Sequence, residues 1–353
     1  MPISSKILSL IAVLLLLAGN AFGDGALVYY NSGFAKFNKG DLDGALTAFN
    51  YALQLRPHFA EAYSSRGIVK RAKGDLDGAL ADSNKAIELN PGLAEFYSNR
   101  GIVKKDEGDL DGALADCDKA IELKPDLANA YNNRGMTKHT NGDLDGALAD
   151  YNKAIALDPD NTHAYNNRGN LKRERGDLDG ALADDNKAIE LDPKYARAYH
   201  SRGCLRYDAQ GFSEALIDFQ KEGELVTGSA YGHFRLWLIR ARLGEEEPAT
   251  KELLTYLDNR KTGKPDDWQS QIARFLIGQL AEPAFFKATE NANKYIERGQ
   301  LCEAWFYAGT KHLIDGDKAT AAEYFNKCLA TGRPDFYEYQ SAAAELKLLK
   351  AGK

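Results

Sequence analysis

The 353-residue chain is short of cysteine, of histidine and of net positive charge, and it has no long apolar run. Four cysteines are too few for the disulfide framework that holds a small secreted scaffold together. The six histidines, His58, His139, His163, His200, His233 and His312, are scattered, with no HExxH among them. CxxC, GxSxG, a GxGxxG after a strand and the P-loop are also missing, so the usual metal, nucleophile and phosphate motifs are absent. We therefore expect no cofactor, no metal and no catalysis. Lys and Arg total 45 against 51 Asp and Glu, a net charge of −6, which argues against a nucleic-acid or anionic-membrane surface. What remains, 44% hydrophobic and 27% charged residues, suits a folded and acidic protein.

The longest apolar stretch, Ile7 to Ala18, is twelve residues following Lys6, too short to cross a hydrocarbon core of about 30 Å. No integral membrane span is expected. The stretch reads as the apolar region of a signal peptide over residues 1–23, with Gly19-Asn20-Ala21 or Ala21-Phe22-Gly23 at the cleavage site. Leu17-Ala18-Gly19-Asn20 has the form of a lipobox with asparagine where the lipidated cysteine would stand. The expectation is an exported protein, periplasmic or secreted, without a lipid anchor.

An internal repeat dominates the rest. GDLDGAL begins at Gly40, Gly74, Gly108, Gly142 and Gly176, a period of 34, and QGFSEAL from Gln210 keeps the spacing. With repeat starts at Ala26, Ala60, Ala94, Ala128, Thr162 and Ala196, tyrosine holds position 4, glycine position 8 and alanine position 20 in all six. Proline closes five of them at position 32. Each unit holds two helical segments joined at the Gly-Asp turn; the small residues at 8 and 20 mark their close approach, and the proline stops the second helix. The five D-L-D-G strings imitate half a calcium loop, but the apolar Ala and Leu that follow belong to a helix. Asp41, Asp75, Asp109, Asp143 and Asp177 are better read as helix N-caps.

This pattern resembles the tetratricopeptide-repeat family, and the resemblance implies an all-α fold, a right-handed α-solenoid of helical hairpins, with six repeats over 26–229. Two departures stand out. Position 7 is Arg66, Arg100, Arg134, Arg168 and Arg202 in place of leucine, and position 24 is Ser83, Cys117 or Asp185 where a large aromatic is usual. The five repeats with Arg at 7 also carry Asp at 23, namely Asp82, Asp116, Asp150, Asp184 and Asp218, whereas the first repeat has Ser32 and Ala48 there. The joint change points to bidentate guanidinium–carboxylate pairs, within a repeat or across neighbours, with ligand binding by the arginines as the other reading.

Beyond Ala230 the period fades. Residues 230–301 form a degenerate helical region with an apolar helix over Trp268–Leu280 and a short one opened by Pro283; 302–335 is a last good repeat and 336–353 a capping helix. WQSQIARFLIG, AEPAFF, EAWFYAGTKHLIDGDKATAAEYFNKCL and DFYEYQSAAAELKLL, over about 268–348, resemble the C-terminal half of the bacterial NlpI lipoprotein family. That resemblance implies a homodimeric periplasmic adaptor that brings cell-wall endopeptidases to a tail-specific protease. The Asn20 position and the greater number of regular repeats depart from the family.

In such repeats positions 2, 5, 6, 9, 12 and 13 of the first helices line the concave side. Ser65, Asn99, Asn133, Asn167 and Ser201 at position 6, with Asn132 and Asn166 at position 5, make a polar ladder suited to the backbone of an extended chain. Solvated polar positions on a helix face are the plainer reading. The expected function is a non-catalytic adaptor for proteins or extended peptides; the alternative is an assembly or dimerising component whose groove is idle. Cys117 and Cys204 lie repeats apart and should stay free thiols. Cys302 and Cys328 share the residue-number sum of the Gly309/Ala321 crossing, so they should oppose each other, and a disulfide across the open end is expected.

Overall fold

A computed structural model describes residues 25–226, 228–259 and 267–352. The leader with its cleavage site and most of the turn at 261–267 lie outside the described residues. All regular structure among the described residues is helical, in nineteen helices, and none is long and apolar enough to cross a membrane. The chain divides into two compact units between Pro159 and Asp160.

The first unit is four hairpins: α1 (Gly25–Phe37) with α2 (Leu42–Leu55), α3 (Ala60–Ala72) with α4 (Leu76–Leu89), α5 (Ala94–Glu107) with α6 (Leu110–Leu123), and α7 (Ala128–Thr140) with α8 (Leu144–Leu157). Within the unit, the second helix of each of the first three hairpins packs on the first helix of the next. The D-L-D-G strings are helix starts, as their position requires. Asp41, Asp75, Asp109 and Asp143 each accept the backbone N–H three residues on, at 2.8–3.0 Å, which satisfies an otherwise orphan donor. The turn glycine before each cap has φ between +77° and +89°, a region that a side chain enters only at a cost.

Position 24 decides how each hairpin closes. The rings of Phe49 and Tyr151 lie over Gly33 and Gly135, where any side chain on the glycine would collide with them. Ser83 and Cys117 fill the same place with smaller groups; the Ser83 hydroxyl donates to the Ala79 carbonyl, and burial pushes the Cys117 thiol up to about 12. The apolar core of this unit is consequently thin, mostly alanine in small separate clusters.

Charge fills what the core leaves. Arg66, Arg100 and Arg134 each grip the aspartate sixteen residues on with Nε and one terminal nitrogen, at 2.6–2.9 Å. The third nitrogen donates to the preceding repeat, to Asn50, Asn84 and Asp118 at 2.7–2.9 Å. The pairing is therefore both within a repeat and between repeats. A lysine one turn along the same helix, Lys70, Lys104 or Lys138, adds a second cation to the carboxylate at 2.8–2.9 Å. The position-4 tyrosines lie under the guanidinium groups, 5.3–5.6 Å to the ring centre. The hydrogen bond to the aspartate raises the pKa of each arginine.

The second unit begins in the same way, with α9 (Thr162–Glu174) and α10 (Leu178–Leu191), α11 (Ala196–Asp208) and α12 (Phe212–Leu225), and α13 (Ala230–Arg242) and α14 (Glu246–Asn259). Asp177 caps α10 through the Gly180 N–H. Arg168 and Arg202 hold Asp184 and Asp218 at 2.6–3.0 Å, and Arg202 also reaches Asn186. There follow α15 (Trp268–Leu276), α16 (Glu282–Lys287), a long α17 (Lys294–Ile314) paired with α18 (Lys318–Ala330), and α19 (Tyr337–Lys350). The last hairpin thus starts at Lys294 rather than Cys302, and α15 stops before Gly278, whose φ is +77°. Here one continuous core joins α11 to α19 around Tyr207, Phe234, Trp237, Phe306, Tyr307 and Phe325.

Cys302 and Cys328 face each other across the hairpin as expected, with sulfurs 3.5 Å apart. Both are fully buried; burial pushes the Cys328 thiol well up, and it donates to the Cys302 carbonyl at 3.2 Å. The last helix, α19, packs over both α17 and α18.

Two outcomes test this account. Asp150→Ala should lower stability by about 2–3 kcal/mol in chemical denaturation, since it strands a partly buried guanidinium and an ammonium, while Arg134→Met with Asp150→Leu should cost less than the single change. At the α11–α12 turn, Gln210 holds φ +65° where the other repeats have glycine. Gln210→Gly should therefore stabilise by roughly 0.5–1 kcal/mol, read as a higher melting midpoint.

Candidate functional site

The first-helix faces are where this architecture would receive a partner, and the two units treat them differently. In the first unit the ladder is unevenly exposed. Ser65 and Asn132 are buried, and so are Ser64 and Ser98. Asn99 and Asn133 are half-buried, and each amide donates to the hydroxyl of the preceding repeat, Asn99 to Ser64 at 3.0 Å and Asn133 to Ser98 at 2.9 Å. These bonds join neighbouring first helices and hold both side chains in one orientation.

In the second unit the face is occupied by the chain itself. The helix expected to cap an open end, α19, lies along α9, α11 and α13 and meets them at the positions expected to line a groove. The Tyr337 hydroxyl bonds Ser201 at 2.7 Å and Asn170 at 2.9 Å, and the Arg173 guanidinium lies 4.8 Å from its ring centre. Ser341 donates to Asp208 at 2.6 Å, and Arg235, fully buried, donates to Ser341 and Glu338. Arg242 approaches Glu345 at 2.6 Å in an ionic contact without hydrogen-bond geometry. Tyr337, Glu338, Ser341 and Glu345 fall on one stripe of a helix, which is why one helix satisfies three others. Asn166 and Ser201 are thus buried, bonded to each other at 3.0 Å, and not presented to an extended ligand. The charged residues at groove positions in α9, α11 and α13 were the available signal for this, and they acquire meaning only beside the acidic stripe of α19.

A cavity of about 570 Å³ persists next to this seam, lined by Asn167 and Asn170, by His200 and Glu222, by Tyr231 and Glu303, and by the segment from Asp335 to Glu338. His200 pairs with Glu222 at 2.8 Å. Burial opposes charge on the imidazole, but the Cys204 sulfur and the Glu222 carboxylate outweigh it and raise the pKa to about 10. Behind the wall Asp185 takes the core place at position 24, where Asn166 donates to it at 2.9 Å. Burial lifts its pKa to about 8.

Asp185 therefore stays protonated in the folded chain at neutral pH and ionises near 3.8 when unfolded. The unfolded state binds fewer protons between these values, so this group makes stability fall as pH rises from about 4 to about 8 and has no further effect above. Asp185→Asn keeps an acceptor for Asn166 and removes the ionisation. It should raise stability at pH 8 by an amount on the order of a few kcal/mol and flatten the decline, measured by denaturation at a series of pH values.

The repeat pattern matches known families. The TPR repeat family matches residues 103–142, 137–172 and 169–209, and the tetratricopeptide repeat family matches 30–94. The lipoprotein NlpI homolog of Haemophilus influenzae is 31% identical over 120 residues, which cover 33% of this chain; the chain spans only 37% of the length of that relative. Among solved structures, human IFIT1, in its dimer with m7Gppp-AAAA, aligns over 87% of this chain and 72% of its own at 15% identity, with a TM-score of 0.60, a likeness of fold alone. A tetratricopeptide repeat protein from Parabacteroides merdae aligns over 73% and 99% at 19% identity, TM-score 0.49. Residues 30–94 and 103–209 thus carry tetratricopeptide repeats.

Proposed function

We propose that this protein is a non-catalytic adaptor that holds an extended protein or peptide segment on the first-helix face of its first unit. The observation that carries the reading is the pair Asn99 and Asn133, one repeat apart, each already oriented by its bond to a serine of the preceding repeat. A side-chain amide has two donor hydrogens and an acceptor oxygen, so an anchored amide retains capacity for a peptide backbone and loses little freedom when it binds. The second unit supports the division of labour, since its own α19 already covers the equivalent face. The similarity to a lipoprotein NlpI homolog favours work in the cell envelope; Asn20 at the lipobox position favours export without a lipid, and by the family resemblance the adaptor would bring cell-wall hydrolases to a protease. Exposed Leu27, Val28, Tyr29, Tyr51 and Leu55 on the first hairpin offer an apolar surface for pairing as a homodimer.

A displayed library of extended peptides tests the adaptor reading. Wild type should enrich a set of sequences, and Asn99→Ala with Asn133→Ala should weaken binding of those peptides at least about tenfold while losing only about 1 kcal/mol of stability per site. No enrichment, or equal binding by the variant, would overturn the reading.

A further inference from the structure

The cavity of the second unit has buried carboxylates in its wall, and they are not partnered alike. Three carboxylates form its inner wall, Glu222, Glu303 and Glu338, with 6%, 3% and 5% of their surface exposed. Two of them have a bonded cation. Glu222 has His200 at 2.8 Å and a hydrogen bond from Ser229, and Glu338 has Arg235 at 3.3 Å and the Tyr307 hydroxyl at 3.1 Å. At the mouth Asp335 is held by Arg333 at 2.8 Å.

Glu303 differs. Its hydrogen bonds come from the Trp268 indole N–H and the Tyr231 hydroxyl, both neutral donors. Arg333 acts on it only weakly through space, and Arg197 stands exposed at the rim. Burial and then the charge of Glu338 push the Glu303 carboxyl well above the ordinary carboxylate range. A carboxylate so placed is costly to ionise until a cation arrives. The other walls suit a cation, because Tyr231, Phe336 and Tyr337 bring aromatic rings to the same space. About 570 Å³ is also within the ordinary range for a small-molecule site. Among the described residues no three His, Cys, Asp or Glu side chains are grouped to hold a metal ion, which favours an organic cation.

We propose that this cavity binds an alkylammonium or guanidinium group, carried by a lysine or arginine side chain of a protein segment or by a free polyamine, with the Glu303 carboxylate as its counter-ion. An entering cation ionises Glu303, the proton leaves to solvent, and the aromatic rings cover the alkyl stem. The site is independent of the Asn99–Asn133 reading, and either can fail without the other.

The test uses the full chain and three probes in titration calorimetry, namely acetyl-Gly-Lys-Gly-amide, the same peptide with its lysine acetylated on Nζ, and spermidine. The lysine peptide or spermidine should bind at least about tenfold more tightly than the neutral acetylated peptide. Glu303→Gln, which keeps an acceptor for Trp268 and Tyr231, should abolish that preference without lowering the melting midpoint. At pH 7 binding should release protons from wild type, seen as a dependence of the heat on buffer ionisation enthalpy, and release none from the Gln variant. A tighter peptide assigns the cation to a protein side chain and tighter spermidine to a free polyamine; both support the site. Failure of both cations to bind, equal binding of the charged and neutral peptides, or a lysine-peptide affinity unchanged in Glu303→Gln would overturn it. Should Glu303→Gln not fold, the charged and neutral probes on wild type still decide.

Discussion

The regular part of this protein rests on the reach of one guanidinium group. An arginine at position 7 bonds the aspartate of its own second helix with two nitrogens and the preceding repeat with the third, so one side chain fixes the hairpin and its neighbour together. A planar fork with five donors can do this; a lysine, with a point charge, cannot hold three directions at once. The aspartates are buried and the arginines retain some contact with water, so desolvation offsets much of the attraction. The pair contributes register more than free energy. That is a fitting role where the apolar core is mostly alanine and would tolerate sliding.

The second unit solves a different problem. Its core is large and aromatic, yet arginines stand within it: Arg235 is fully buried and Arg173 nearly so. Such charges persist only when paired, and the partners come from α19 or from the helices it covers. The helix is therefore held by an array of ion pairs and hydrogen bonds as well as by packing. It makes a closed body of an element that a repeat array would otherwise leave as an exposed face.

The same comparison explains which site residues were legible. The arginine–aspartate pairs could be read because both positions change together between the first repeat and the other five, an internal control that one chain supplies. The amide ladder was visible as a pattern, but its exposure was not: position 5 is buried, while position 6 is buried at Ser65 and Ser201 and half-buried at Asn99, Asn133 and Asn167. The opposition of Cys302 and Cys328 followed from antiparallel counting. Glu303 carried no signal at all, since a glutamate in a helix is ordinary until its surroundings are known.

By itself, then, the sequence determined the helical hairpins, their caps and turns, the period of 34 and the charge pairs, all of which depend on residues close along the chain or one repeat apart. Tertiary structure alone decided where the last helix goes. Tyr337 meets Asn170, 167 positions earlier, and Ser341 meets Asp208, 133 positions earlier, contacts for which no local periodicity carries a mark. Local patterns report the conformation of a segment and the face it must bury. Which distant segment buries that face is settled by complementarity of shape and charge, and here that choice closes the first-helix face of the second unit and forms the cavity beside it.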